Sequence, residues 1–393
     1  MKYRDNSYVL WLPSWYPSKI EPYNGDFIKR HAAATALYTD VHILYVIRDA
    51  SGTITKDFLK EIVTTGRLKE TIIYYYVSPC KIKWLEKFNS FIKYNELYKQ
   101  TVKEIFSNEG KPYLVHAYIA FKAGLIALWI KKKFKIPFVL SEQWTAYLSG
   151  AMPNLSDLPF FSKRRIKTIL ENAESVMVVS KYLGESLKAK YKIPIPVVIP
   201  NVVDVNLFTY VPQTLNAVCR FIHISNLGYQ KNPDALINAF SMVKAQGYDF
   251  YLDIIGPERN DLIDLTKMLG LQDVISFHNE MQQSDLAYWI RKADALILYS
   301  RYETFGCVII EANACGVPVI VSDMPVMHEN VIEGFNGIFA ANENEKALSE
   351  AIISFIKNRH LFKKEKIAER AASKFNYDFV GLQINSWYGS NKK

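Results

Sequence analysis

The sequence predicts an α/β protein made of two Rossmann-like domains, each a doubly wound parallel sheet, facing each other across a cleft. Short, near-continuous apolar runs alternate with amphipathic helical patterns along the whole chain, as strands do when helices cover both faces of their sheet. The alternation breaks once, at Ile193-Pro-Ile-Pro-Val-Val-Ile-Pro200 and the polar stretch Val211-Pro-Gln-Thr-Leu-Asn216. The length of 393 residues is enough for two or three domains. The expected division is an N-terminal domain over residues 1–200 and a C-terminal domain over 201–375. A last helix over 376–393 is expected to pack back toward the first domain.

In the first domain, strands are expected at Tyr8–Leu12, Val41–Ile47, Ile72–Val77, Leu114–Ala117, Pro137–Leu140, Val176–Val179 and Val197–Ile199. Helical patterns lie between most of them: Asp26–Tyr38, opened by Gly25, then Trp84–Phe106, Phe121–Phe134, Phe160–Asn172 and Lys181–Lys190. The second domain repeats the rhythm with strands at Cys219–Ile224, Tyr251–Ile255, Val274–Phe277, Ala295–Tyr299, Val317–Val321 and Gly337–Phe339. Its helices cover Asn232–Gln246, Arg259–Leu269, Asp285–Lys292, Cys307–Ala314, Glu343–Lys357, Leu361–Ser373 and Tyr377–Tyr388. Ligands of such sheets bind beyond the carboxyl ends of the strands, so the chemistry belongs between the domains.

Charge separates the two halves. Residues 1–200 hold 30 Lys+Arg against 17 Asp+Glu, a net of +13, and residues 201–393 hold 18 against 22, a net of −4. An anionic partner is therefore expected for the first half alone. Its basic runs are Lys131-Lys-Lys-Phe-Lys135 and Ser162-Lys-Arg-Arg-Ile-Lys167, with Trp129, Phe134, Phe160 and Phe161 beside them. They read either as a docking face for an anionic membrane or as ordinary solvated helix faces. Nucleic acid is not the expected partner, because no recognition motif accompanies the charge. The four cysteines, Cys80, Cys219, Cys307 and Cys315, form no C-x-x-C pair and read as free thiols of a reducing compartment. With no signal peptide and no apolar run of membrane-spanning length, the expected location is cytoplasmic, peripheral on the inner face of the membrane if the basic runs dock there.

The most informative stretch runs Ser300-Arg-Tyr-Glu-Thr-Phe-Gly-Cys-Val-Ile-Ile-Glu-Ala-Asn-Ala-Cys-Gly-Val-Pro-Val-Ile-Val-Ser322. Seven residues separate Glu303 from Glu311, a little over two helical turns, so one carboxylate precedes a helix and the other lies two turns down it. That spacing suits a ligand draped over a helix N-terminus, phosphates at the amide end. On the residues alone, the two carboxylates either face hydroxylated groups of such a ligand or are a helix-capping acid (Glu303) and a solvated helix glutamate (Glu311).

The segment resembles the signature of the retaining family 4, or group 1, glycosyltransferases with the two-domain GT-B fold. Gly25, Val115-His-Ala117, Pro200-Asn201-Val-Val-Asp204, the Ser225–Asn232 loop and Gly256-Pro-Glu-Arg259 carry the likeness over most of the chain. The resemblance implies transfer of a sugar from a nucleotide-diphosphate donor to a glycan or lipid-linked acceptor, in surface polysaccharide biosynthesis. It places donor binding in the second domain and acceptor binding in the first. Glu311 would accept the ribose hydroxyls, and Glu303 would position the sugar beside its oxocarbenium-like state. Lys231 would grip the diphosphate. The backbone of Phe305, Gly306 and Cys307 would meet the distal phosphate, and Gly25 would let its loop approach that phosphate from across the cleft.

Two positions depart from the family pattern. Asn226 stands where an arginine usually shares the diphosphate with the lysine, which leaves the charge to Lys231 alone, helped by the helix dipole or by another cation such as Arg259 or Arg301. Tyr118 stands where a second histidine often follows the first, so His116 and Tyr118 read as sugar contacts or as structural residues. Gln143 and Trp144, in Glu142-Gln-Trp144, are further candidates for acceptor or sugar contact, with core packing the alternative for Trp144. No metal site and no cofactor are expected: the histidines lack ligand spacing, and there is no Asp-x-Asp, no Walker loop and no G-x-G-x-x-G. A nucleotide-sugar epimerase of the same architecture and a non-catalytic two-lobed sugar-binding protein are the alternative readings.

Overall fold

A computed structural model describes residues 8–390. The first sheet holds β1 (Tyr8–Pro13), β2 (Asp40–Arg48), β3 (Phe58–Thr65), β4 (Leu68–Tyr75), β5 (Leu114–Tyr118), β6 (Phe138–Glu142), β7 (Val176–Val178) and β8 (Val197–Val198). Its helices are α1 (Asp26–Ala36), α2 (Lys83–Glu109), α3 (Ala123–Phe134), α4 (Phe160–Asn172) and α5 (Lys181–Lys190). The second sheet holds β9 (Cys219–Ile224), β10 (Phe250–Ile255), β11 (Ile275–His278), β12 (Ala295–Leu298), β13 (Val319–Ser322) and β14 (Gly337–Ala340). Around it lie α6 (Pro233–Ala245), α7 (Asn260–Met268), α8 (Gln283–Lys292), α9 (Cys307–Ala314), α10 (Glu345–Asn358) and α11 (Lys364–Phe375); α12 (Tyr377–Gly389) ends the described chain.

Strand order decides where a ligand can sit. The second sheet runs β11-β10-β9-β12-β13-β14, every neighbour parallel. The order reverses between β9 and β12, which opens a crevice at their carboxyl ends. The first sheet runs β3-β4-β2-β1-β5-β6-β7-β8 and reverses between β1 and β5. Both sheets are the buried, helix-covered kind: β1, β5, β6 and β12 are buried at every position.

One strand departs from the sequence reading. β3 pairs antiparallel with β4 through a tight turn at Gly66 and Arg67, Thr65 opposite Leu68. As an edge strand it is mostly exposed and carries Lys60 and Glu61 between apolar residues, so it reads as a loop. Charges of this kind on an edge discourage pairing with other chains.

α12 packs against α1 in the first domain. Its Trp387 Nε1 donates to Ser175 Oγ at 2.9 Å, and Tyr388 lies 2.5 Å from His116 Nδ1 through its hydroxyl. The other connection between the sheets, near Val203, runs beside the start of α12: the Val203 amide donates to the Phe375 carbonyl at 2.8 Å.

Three histidines are locked neutral in this framework. His31 Nε2 faces the Pro200 carbonyl at 2.9 Å and must donate to it, so Nδ1 accepts from the Tyr118 hydroxyl, also at 2.9 Å. Burial pulls its pKa down to about 4, opposed by the Pro200 carbonyl and aided by the neighbouring Arg30 charge. His223, between the Ile297 carbonyl and Ser225 Oγ, is likewise pulled down to about 4 by burial, and His116 falls well below the ordinary value for the same cause. The unfolded chain takes these protons near pH 6.5, whereas folded His31 and His223 resist until about 4. Between those values the unfolded state binds more protons, so stability falls as pH falls, by about 1.4 kcal/mol per pH unit for each ring. The melting temperature is expected to drop between about pH 7 and about pH 5. In His31→Gln that slope should be shallower, and a slope unchanged by the substitution would remove His31 from the account.

Candidate functional site

Two loops leave the carboxyl ends of β9 and β12, at the strand-order reversal of the second sheet. After β12 the chain turns through Ser300–Phe305 and enters α9 at Gly306, whose φ of 82 and ψ of 69 lie in the left-handed region. A Cβ there would come 2.9 Å from Ile309 and 3.2 Å from Leu298, so glycine alone lets the turn pack this close. The α9 amide end thus points into the cleft between the domains.

Glu303 is buried at the base of this turn. It accepts from Ser300 Oγ at 3.1 Å and forms an ion pair with Lys231. Lys231 comes from the loop after β9, on a short 3-10 turn, Tyr229–Lys231, that left-handed Asn232 closes before α6. Glu311, one turn down α9 rather than two, is buried as well. Its partner comes from the other domain: Arg30 Nη1 of α1 lies 2.8 Å from Glu311 Oε1. The same nitrogen donates to the Val202 carbonyl at 2.9 Å, and Arg30 Nε lies 2.9 Å from Asp26 Oδ2. Burial pushes the Glu311 carboxyl up and the Arg30 charge pulls it back. Arg30, Glu311, Glu303 and Lys231 all act on the Cys307 thiol at the start of α9, which burial pushes up to about 12. Two acids and two bases are therefore gathered around one helix N-terminus.

Phe305 contributes backbone here, while its ring is core, meeting Phe375 edge-on at 6.1 Å between centroids. Gly25 opens α1 with φ 74, and a Cβ on it would lie 2.6 Å from the Trp15 carbonyl carbon. Asn226 is exposed, and its Oδ1 accepts from the Gly228 amide at 3.1 Å, which shapes the loop. Gln143 is buried at the carboxyl end of β6, and its Nε2 has no partner among the described residues. Trp144 is half-buried beside Phe121, centroids 5.6 Å apart.

For His116 and Tyr118 the surroundings match the structural one of the two readings. Both are fully buried, and neither reaches the cleft. His116 is held between the Tyr388 hydroxyl and Ser141 Oγ, at 2.5 and 2.6 Å. Tyr118 stacks on Trp11 at 4.8 Å and donates to His31. They join β5 to α1 and α12. The side chain two residues before the end of a buried strand faces the same way as the last, and here that direction is α12, which covers it.

Arg259 and Arg301 are engaged by other partners. Arg259 pairs with Asp261, Nη2 to Oδ2 at 2.6 Å. Arg301 stacks over Tyr229 at 4.3 Å and donates to the Tyr229 carbonyl at 2.6 Å. Each braces the Ser225–Asn232 loop. The arginine beside the paired glutamates is Arg30, which the sequence reading did not nominate. Its only signal in the sequence was the i,i+4 spacing from Asp26 on a helix opened by Gly25.

Other contacts close the cleft. Gln283 Nε2 of α8 donates to Asp26 at 2.6 Å. The Tyr302 hydroxyl donates to the Met152 carbonyl at 3.1 Å and accepts from its amide at 3.0 Å. Glu329 accepts from the Lys181 and Tyr182 amides, at 2.8 and 2.9 Å, and so satisfies two of the unpaired donors that open α5.

Two family models cover this architecture. Residues 219–374 match "Glycosyl transferases group 1", and residues 62–207 match "Glycosyltransferase Family 4". The chain belongs to the family 4, group 1 glycosyltransferases. An uncharacterized glycosyltransferase of Methanocaldococcus jannaschii is 27% identical over 265 residues, 66% of this chain and 70% of that one. The alpha-monoglucosyldiacylglycerol synthase of Streptococcus pneumoniae is 24% identical over 296 residues, 70% of this chain and 66% of that one. Among solved structures, a sucrose-phosphate synthase from Thermosynechococcus elongatus superposes with a TM-score of 0.77 at 18% identity, covering 98% of each chain. Anabaena HepE in complex with UDP-glucose superposes at 0.72 and 16% identity, covering 98% of this chain and 99% of that one. These likenesses establish the GT-B fold of the glycosyltransferase.

Removing Arg30 leaves Glu311 buried without its counter-charge. Arg30→Leu is expected to cost about 3–5 kcal/mol in urea unfolding, and Arg30→Leu with Glu311→Leu to recover most of it. Additive losses in the double variant would show that the two side chains do not act as a pair. Gly25→Ala forces a Cβ into the Trp15 backbone at positive φ and should cost about 1–3 kcal/mol in the same assay.

Proposed function

We propose that this glycosyltransferase is a retaining, metal-independent hexosyl-type enzyme that takes a nucleotide-diphosphate sugar. The observation that carries the reading is the gathering of Glu303, Lys231, Glu311 and Arg30 around the α9 N-terminus, at the strand-order reversal of the second sheet. The ribose hydroxyls donate to Glu311, an acceptor-only group able to take two donors. The diphosphate lies against the amides of Gly306 and Cys307, where the helix dipole favours negative charge. Lys231 is one cation for it. Arg30 is the other: once the ribose engages Glu311, its guanidinium turns to the diphosphate and fills the role left open by Asn226. The M. jannaschii relative, a glycosyltransferase by name, supports the transferase class, and the UDP-glucose complex of HepE supports the class of donor.

Glu303 positions the sugar and supports the positive charge that develops on it. The anomeric carbon–oxygen bond to the diphosphate breaks, and the acceptor oxygen bonds to the same face of that carbon. The acceptor proton passes to the departing phosphate oxygen, so no side chain has to become a covalent nucleophile. Closure over Tyr302 and Met152 keeps water from the oxocarbenium-like state. The second domain binds the donor and the first the acceptor, a glycan or lipid-linked saccharide used in surface polysaccharide assembly.

Binding and turnover with a panel of nucleotide sugars test this reading. Glu311→Gln is expected to raise the donor KM at least about ten-fold, the loss of a charge-assisted hydrogen bond. Lys231→Ala should instead lower kcat, by about a hundred-fold. NMR of the product of donor plus acceptor should show the donor's anomeric configuration retained. Absence of binding to every donor, with Glu311→Gln behaving as the parent, ends the proposal. Release of an epimerised sugar from donor alone replaces it with an epimerase.

A further inference from the structure

A cavity of about 790 Å³ lies in the first domain, at the carboxyl ends of β1, β2, β4 and β5. It opens between α2 and α4, at the strand-order reversal of the first sheet. Six aromatic side chains line it, among them Trp15, Tyr45, Phe91 and Phe121. Its charged lining is Arg48, Lys87, Lys122 and Arg165 against a single acid, Glu21. A pocket of that make-up suits a ligand with an anionic group and an apolar portion.

The two helices beside the mouth expose their apolar residues. On α2, Trp84, Phe88, Phe91 and Ile92 are 69%, 53%, 43% and 39% exposed. Their spacing of i, i+4, i+7 and i+8 sets them on one face. At the start of α4, Phe160 and Phe161 are 67% and 72% exposed. Arg165 lies 5.8 Å over the Phe91 ring and joins the two groups into one surface. Basic residues border both: Lys81, Lys83 and Lys87 on one side, Lys163, Arg164 and Lys167 on the other. Large aromatic side chains left in water on two adjacent elements, framed by cations, mark an interaction surface. A row of bulky apolar residues bordered by Lys and Arg is the pattern of a helix lying in an anionic lipid interface.

We propose that the α2–α4 edge docks on an anionic lipid bilayer, and that the acceptor is an anionic amphiphile entering the cavity directly from that bilayer. Trp84, Phe88, Phe160 and Phe161 enter the headgroup layer, the flanking lysines and arginines meet lipid phosphates, and the cavity mouth between them faces the membrane. An amphiphile then moves from bilayer to pocket without carrying its apolar part through water. Of the basic run 131–135, Lys131 is held within the fold by Glu174 at 2.9 Å, so α2, which is not part of that run, supplies the main apolar contact. The acceptor half of this inference rests on the transferase reading above; the docking half does not.

The test is flotation of the full chain with phosphatidylcholine vesicles, with and without phosphatidylglycerol. Binding is expected only to the anionic vesicles, weakening as salt is raised. Trp84→Ser with Phe88→Ser should reduce the partition coefficient at least about ten-fold, and Arg164→Glu with Lys167→Glu by a similar factor. None of these residues touches the donor site, so nucleotide-sugar binding and the melting temperature should stay as in the parent. Failure of the parent to float with anionic vesicles overturns the docking, as does a Trp84→Ser/Phe88→Ser chain that floats as the parent does. Self-association lost in that variant, without flotation of the parent, assigns the surface to a second copy and also overturns it. A chain that floats but binds no nucleotide sugar keeps the docking and overturns the acceptor half.

Discussion

The ion pair between Arg30 and Glu311 is the constraint on which the cleft depends. It joins the first helix of one domain to the signature helix of the other, and both side chains are almost wholly out of water. Two buried charges of this kind hold a structure because neither tolerates the loss of its partner. They also fix geometry. Arg30 ties Glu311 to the Val202 carbonyl, and Asp26 ties the same α1 turn to Gln283. The interface is therefore specified by polar groups with directional demands. The apolar core beneath runs through both domains and would accept small shifts of one against the other.

Much of the fold was legible because its physics is local. Buried parallel strands must be apolar on both faces, and helices between them must be amphipathic, so the period of the pattern changes wherever the element changes. α4, α5, α9 and β9 begin and end where that pattern says. β3 escaped because it obeys a different rule: at an edge, one face and one side are in water, and charge interrupts the alternation. The site was legible to a lesser degree. That Glu303 and Glu311 flank the start of α9 follows from spacing and from the glycine before it. That each carries a basic partner does not, since Lys231 and Arg30 lie 72 and 281 positions away. His116 and Tyr118 were left with two readings for the same reason. A strand end by itself says "cleft", and only the return of α12 over β5 converts it to core.

The two charge patterns of the molecule have different work to do. Around α9 the acids and bases are paired and buried, so their fields act over a few ångströms on whatever enters the cleft. On α2 and α4 the charges are mostly positive and largely exposed, so they act at longer range and respond to salt. The net of +13 in residues 1–200 thus reflects a surface, and the modest −4 of residues 201–393 conceals a concentrated electrostatic site.

The chain passes between the two domains twice, once near Val203 and again between α11 and α12, and the passages are hydrogen-bonded to each other where the Val203 amide meets the Phe375 carbonyl. A single strand would let one lobe swivel freely about it. Two strands fastened side by side behave as a door hinge, which permits opening along one arc and resists torsion. Each excursion of the lobes then returns Arg30 to the same register opposite Glu311. The mouth of the cleft gains the most room per degree of rotation, and the far edge beside the hinge the least. A ligand would enter from the mouth side, and a substitution at the seam would be felt as lost repeatability of closure well before it was felt as lost stability.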